Sequence, residues 1–181
     1  FPPLPRGVLL DMFFLRFLFS FILLVILLPL LVLISLIIFV IDKESPFYFS
    51  KRIGKGSKNF LMPKFRTMSS STPQKSTATL ENPEDHLLST GRFLRKYSLD
   101  ELLQFFNVLK GNMSIVGPRP LFDDDTQLFN TKYMRRLNVM PGITGLLQIN
   151  ERNTSEFSTW YKYDIEYIEN WSLFLDLKII F

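Results

Sequence analysis

The sequence predicts an α+β protein, with an apolar N-terminal helix leading into a small, mostly helical domain with short strands. Three observations predict it. From Phe17 to Ile41 there are 25 residues without a formal charge. Short aromatic runs around a glycine turn follow, the pattern of paired strands. Beyond Glu81, apolar residues recur at helical spacing. The division falls at Asp42: residues 1–42 form a membrane-anchoring segment and residues 43–181 a cytoplasmic domain.

Composition bounds what this chain can be. Its 181 residues suffice for one modest domain plus an anchor. It begins at Phe1 rather than Met and ends on an apolar run, so it reads as a piece of a longer chain. It contains no cysteine, which excludes disulfides and thiolate metal sites and fits a reducing compartment. A net charge of +4 suits anionic lipid headgroups or phosphorylated substrates. Membrane lipids are the expected macroscopic partner, and no nucleic acid is expected.

As a helix, the uncharged run is about 37 Å long, enough for a bilayer core of about 30 Å. It is too long for a signal-peptide core, and no small-residue cleavage site follows. Pro29 in its middle removes a backbone donor and predicts a kink. Two arrangements fit: a kinked spanning helix, or a re-entrant segment that enters and leaves on one face. Arg6 and Arg16 precede the run; Lys43, Lys51, Arg52, Lys55 and Lys58 follow it. The heavier excess places the C-terminal side in the cytoplasm under either arrangement.

Lys43 to Arg66 holds seven basic residues and one acid, Glu44, a stretch that attracts anionic lipid. Within it Ser45–Phe49 reads as a strand, Arg52–Gly56 as a turn, and Phe60–Thr67 as a second strand. Gly54 and Gly56 carry no phosphate-loop pattern. Ser69–Thr79 is a Ser/Thr-rich loop. Glu81–Lys96 has a helical pattern through Leu87, Leu88, Phe93 and Leu94. The main helix runs from Leu99 to Leu109, burying Leu102, Leu103, Phe105, Phe106 and Leu109, and Gly111 ends it. Met113–Val116 is a short strand and Met140–Gly142 a turn. Thr144–Asn150 reads as turn and strand, Trp160–Tyr167 as a helix, and Trp171–Ile180 as an amphipathic, interfacial one. His86 is the only histidine, which argues against histidine catalysis.

The chemistry centres on Asp100 and Glu101. Ser98-x-x-Glu101 can be a capping box, with Asp100 in a first turn that favours negative charge. The same pair can handle phosphate beside a membrane. Arg95 lies before it, and Arg119 follows on Gly117-Pro118-Arg119-Pro120, where two prolines fix the backbone. Both arginines are suited to clamp a diphosphate or a lipid phosphate. Asp123-Asp124-Asp125 caps or solvates the next element, or forms the metal site of a metal-dependent glycosyltransferase. A third reading is a non-catalytic, membrane-tethered binding module.

Several runs occur in order after the apolar segment: Lys64–Met68, Gly91–Lys96, Ser98–Leu102, Asn107–Ser114, Gly117–Leu121, Pro141–Gly145 and Leu175–Lys178. With these the chain resembles the monotopic polyprenyl-phosphate phosphoglycosyl transferases, a family of bacterial sugar transferases. The resemblance implies transfer of sugar-1-phosphate from a UDP-sugar to polyprenyl (undecaprenyl) phosphate, with release of UMP and a need for Mg²⁺. It implies Asp100 as the nucleophile of a covalent phosphosugar intermediate and Asp100 with Glu101 at the metal. It places Lys64, Arg66 and Arg152 beside Arg95 and Arg119 as substrate-binding candidates. Asp164 matches an acidic position that orients an arginine or the metal. The anchor would be re-entrant and broken at Pro29, on the cytoplasmic face of the bacterial inner membrane. The chain departs from the family at Leu103, where proline is usual, at Glu151, where glycine is frequent, and in the displaced Arg6. A proline in the first turn mainly pre-sets the backbone, so Leu103 should be tolerated.

Overall fold

The computed structural model describes residues 6–73, 82–122, 133–151 and 156–181. Helix α1 runs from Arg6 to Ile37 and continues as a π-helical turn, Ile38–Asp42. It passes through Pro29 without an interruption of the helix. It is long and apolar enough to cross a membrane, by length and composition. Ser20, Leu24, Leu31, Ile34 and Ile38 on one stripe are buried. The opposite face, with Phe21, Val25, Ile26, Leu28, Val32, Leu33 and Leu36, is exposed. A core helix of a soluble protein would be covered nearly all round; this one leaves most of its apolar surface exposed.

The buried stripe meets the domain directly. Leu24, Leu31, Ile34 and Ile38 form one cluster with Phe65, Leu94 and Leu103. Beyond Asp42 the chain turns at Lys43, whose φ of 56° is left-handed. Strands β1 (Phe47–Ile53) and β2 (Asn59–Phe65) then form an antiparallel hairpin, with Phe47 opposite Phe65 and Ser50 opposite Met62. Gly56, at φ 65°, makes the turn possible.

The Glu81–Lys96 pattern yields less helix than expected. A 3-10 turn covers Pro83–His86, and α2 is only Gly91–Lys96. Leu87 instead bridges Met68, and the Leu88 N–H donates to the Thr67 carbonyl at 3.0 Å. Tertiary pairing has taken the backbone groups a longer helix would use.

The main helix also differs. Leu99–Gln104 is a 3-10 helix, and only Phe105–Leu109, α3, is α-helical. Ser98 is left-handed, with φ 56°, and makes no capping hydrogen bond with its side chain, so the predicted capping box does not form. The tighter turn rotates the buried face. Leu103, Gln104, Asn107 and Val108 are buried, whereas Phe106 is exposed. Gly111 ends α3 at φ 75° as expected.

Strand β3 (Ser114–Val116) pairs in parallel with β4 (Gly142–Thr144), Val116 lying opposite Thr144. The backbones approach so closely that a Cβ on Gly142 would lie 2.1 Å from the Gly117 nitrogen. The strand expected over Leu146–Asn150 is a helix, α4. The ladder is already complete at Thr144, and a short apolar run does not distinguish strand from helix. Helix α5 (Phe157–Glu169) and helix α6 (Leu173–Ile180) close the domain, α6 capped by the Ser172 hydroxyl, which accepts from Leu175 N–H at 3.1 Å. Val116, Tyr167, Ile168 and Ile179 form their core, while Leu173, Phe174 and Leu177 point outward.

Candidate active site

Asp100 and Glu101 lie on the 3-10 turn immediately beneath the cluster that receives α1. Freed from capping, Glu101 turns its carboxylate to cations. Its Oε1 accepts from Lys64 Nζ at 2.6 Å and from Arg119 Nη2 at 3.2 Å. The Lys64 ammonium also lies 3.9 Å from Asp100 Oδ2. Arg95, on α2, donates through Nε to Thr67 Oγ1 at 2.9 Å, close enough for its charge to act on Asp100. Four elements therefore converge: β2 brings Lys64, α2 brings Arg95, the 3-10 turn brings both acids, and the proline-framed loop brings Arg119.

Burial and charge treat the two acids differently. Burial pushes the Asp100 carboxyl above its ordinary range and outweighs the pull of Lys64 and Arg95. Burial acts upward on Glu101 too, but Lys64 and Arg119 together hold it at about 2. Burial lowers Lys64, and Glu101 opposes that shift. Glu101 is thus the fixed counter-charge of the cluster, and Asp100 the carboxylate with the weaker hold on its negative charge.

Arg119 is held by its backbone. Its carbonyl accepts from Arg136 Nη2 at 2.7 Å, and the Pro120 carbonyl accepts from Arg52 Nη1 at 3.2 Å. Arg136 is buried against Asp164, with Nη2 3.0 Å from Oδ2. Burial pushes Asp164 up to about 6 despite the arginine. Asp164 therefore stands behind Arg119 rather than beside Asp100. Arg66 is directed elsewhere: it donates to the Ser45 and Phe47 carbonyls at 2.8 and 3.2 Å, bracing the base of the hairpin. Arg152 and Asp123–Asp125 lie outside the described residues. Arg52, Arg136 and Thr67 were not singled out from sequence. Arg52 reads there as one more lipid-facing charge, and Arg136 sits in a run with no chemical pattern.

Among the described residues no three His, Cys, Asp or Glu side chains gather as a metal cluster. The donor set at Asp100 and Glu101 nevertheless suits a hard cation such as Mg²⁺. It offers adjacent carboxylates, and both basic partners of Glu101 meet the same oxygen, Oε1. Mg²⁺ keeps several waters and takes one or two carboxylates with substrate phosphates.

The family model for "Bacterial sugar transferase" matches residues 11–181. The chain belongs to the bacterial sugar transferase family. It is 47% identical over 137 residues to the uncharacterised sugar transferase EpsL of Bacillus subtilis, covering 75% of this chain and 67% of the relative. It is 37% identical over 169 residues to the exopolysaccharide production protein ExoY of Rhizobium meliloti, covering 84% of this chain and 74% of that one. A UDP-glucose:undecaprenyl-phosphate glucose-1-phosphate transferase of Klebsiella pneumoniae is 38% identical over 170 residues, 90% of this chain but 37% of the relative. This sugar transferase is therefore an enzyme, and its exposed apolar helix marks it as membrane-associated. Among its candidate site residues, Asp100, Glu101, Lys64, Arg95 and Arg119 come together, while Asp164 reaches the site through Arg136.

Proposed function

We propose that this sugar transferase moves a sugar-1-phosphate from a UDP-sugar to undecaprenyl phosphate and releases UMP. The observation that carries the reading is a buried carboxylate, Asp100, 7% exposed, set between Lys64 of β2 and Arg95 of α2, next to the Glu101–Arg119 pair and directly beneath the apolar anchor. Similar chains in Klebsiella pneumoniae and Xanthomonas campestris are named for glucose-1-phosphate transfer to undecaprenyl phosphate.

In the first step an Asp100 carboxylate oxygen attacks the phosphorus that bears the sugar. The bond to the bridging oxygen breaks, UMP leaves with that oxygen, and an acyl phosphate remains on Asp100. In the second step a phosphate oxygen of the lipid attacks the same phosphorus. The acyl bond breaks, which restores the carboxylate and gives a lipid diphosphate sugar. Lys64, Arg95 and Arg119 hold phosphoryl oxygens and offset their charge, the main task in such transfers. Glu101 keeps Lys64 and Arg119 in place between steps. Mg²⁺, held by Asp100 and Glu101, would supply further neutralisation of the diphosphate.

The anchor serves the acceptor. Keeping the lipid tail in the bilayer avoids exposing it, at about 0.8 kcal/mol per CH₂. Re-entry is supported by contacts on both flanks of the uncharged run Phe17–Ile41. Just before the run, Arg16 Nη2 lies 3.7 Å from Asp176 of α6; just after it, Asp42 binds Ser89 and Thr90. Contacts of one domain with both ends of the run support our placing both on the cytoplasmic face of the inner membrane.

The test is UMP release from a panel of UDP-sugars by the membrane-embedded chain, with undecaprenyl phosphate and Mg²⁺. Release that stops in Asp100→Asn and continues in Asp124→Asn supports the assignment. Release that persists in Asp100→Asn refutes the nucleophile, and loss confined to Asp124→Asn moves the chemistry to the acidic run.

A further inference from the structure

The exit of the anchor carries an acid with no part in the chemistry described above. Asp42 ends the π-helical turn Ile38–Asp42, whose first residue, Ile38, is fully buried against the domain. Its two oxygens are both engaged far along the chain. Oδ1 accepts from the Ser89 N–H at 2.8 Å, and Oδ2 from the Thr90 hydroxyl at 2.5 Å. Those residues immediately precede α2. Thr90 occupies the N-cap of that helix, yet its side chain makes no capping bond. Its hydroxyl is turned to Asp42 instead, so the end of one helix supplies the anchor point for the start of another.

Helix α2 is short, only Gly91–Lys96, and its one buried large apolar side chain is Leu94, in the cluster under α1. It is pressed onto Thr67, where a Cβ on Gly91 would lie 2.1 Å from the Thr67 carbonyl oxygen. One turn later Arg95 donates to the Thr67 hydroxyl, with its charge near Asp100. A second acid at the same exit, Glu44, holds the other end of the intervening segment through the Ser70 N–H and hydroxyl, both at 3.0 Å. Lys43 between them is left-handed, at φ 56°. The two carboxylates therefore grip both ends of the chain that leads into α2.

We propose that Asp42 is a positioning residue that couples the seat of α1 in the membrane to the placement of Arg95 beside Asp100. The physical argument is one of lever length. A six-residue helix does not hold its own orientation by backbone bonding alone. The direction of Arg95 therefore follows from what holds the helix: Leu94 in the core, Thr67 beneath Gly91 and Arg95, and Asp42 at Ser89–Thr90. If α1 shifts along its axis, Asp42 moves with it and Arg95 follows. The functional part of the proposal rests on Asp100 as the reacting group.

A double-mutant cycle on UMP release, using the full chain in lipid nanodiscs, tests it. Asp42→Ala lowers kcat/KM by up to about 100-fold, the scale of an ångström-level misplacement. Asp42→Asn, which keeps one acceptor oxygen, recovers part of that loss. In an Arg95→Ala background, Asp42→Ala adds no further loss, because the group it places is already gone. Losses that multiply in the double variant, or an Asp42→Asn as poor as Asp42→Ala, overturn the proposal. Amide hydrogen exchange reads the coupling without any turnover. Asp42→Ala should speed exchange at Ser89 and through α2 while β1 and β2 keep their protection. Unchanged protection in α2 overturns the coupling even in an active enzyme. A wild-type chain that releases no UMP defeats the functional reading alone and leaves the exchange result to decide the coupling.

Discussion

Glu101 offers one oxygen to two cations, and that arrangement has a measurable acid signature. Its carboxyl lies at about 2 in the fold against an ordinary 4.5. Such a group stabilises the fold above 4.5 and loses that contribution as pH falls towards 2. Glu101→Gln should therefore flatten the decline of stability across that window in acid titrations followed by circular dichroism. The same variant leaves Lys64 and Arg119 without their counter-charge and should cut turnover by about 100-fold or more. Asp164 has the opposite sign. Its folded value of about 6 exceeds the ordinary 3.8, so its contribution to stability is full below 3.8 and is lost as pH rises to about 6. Its protonation on acidification removes the charge facing Arg136 and slackens the hold on Arg119. A limb in kcat/KM near pH 6 is therefore expected with no fall in Tm, and Asp164→Asn should abolish that limb. A limb that coincides with unfolding would contradict this account.

At the scale of elements, backbone contact decides more than side-chain pattern does. Gly91 and Gly142 sit where another main chain occupies the place of a Cβ. Alanine at either position has to displace backbone rather than a flexible side-chain tip. Each should lower stability by about 1–3 kcal/mol, read as a drop in Tm, and Gly91→Ala should also impair turnover because α2 carries Arg95. These contacts explain which elements were legible in the sequence. The hairpin, β3, the end of α3 at Gly111 and the helix around Trp160 follow from local turn chemistry and periodicity, and all are present. The long helix over Glu81–Lys96, the capping box at Ser98 and the strand at Leu146–Asn150 do not form, because remote partners claim those backbone groups or rotate the turn. The acid pair and its nearest basic partners were visible as motifs. Arg136 was not, since its role is to hold a carbonyl far along the chain, and no spacing rule encodes that.

At the scale of the whole molecule, the anchor and the domain form a single packing unit. Ile38 is buried with Phe65, Leu94 and Leu103, while its neighbour Phe39 is exposed. Ile38→Ala should destabilise the domain by about 2–5 kcal/mol, as for other buried aliphatics. Phe39→Ala should leave domain stability nearly unchanged and weaken retention on vesicles. A reporter placed before Arg6 should read the same side of the membrane as one placed after Phe181; opposite sides would refute re-entry. The parallel pairing of β3 with β4 adds a dimension of time. Those strands are far apart in the chain, and closing such a loop is slow compared with forming a helix or a hairpin. During synthesis α1 and the hairpin emerge before Gly142 exists, so the anchor can reach the bilayer while Arg119 still lacks its loop. The loop that carries Arg119 is therefore completed after the anchor and the hairpin have been made.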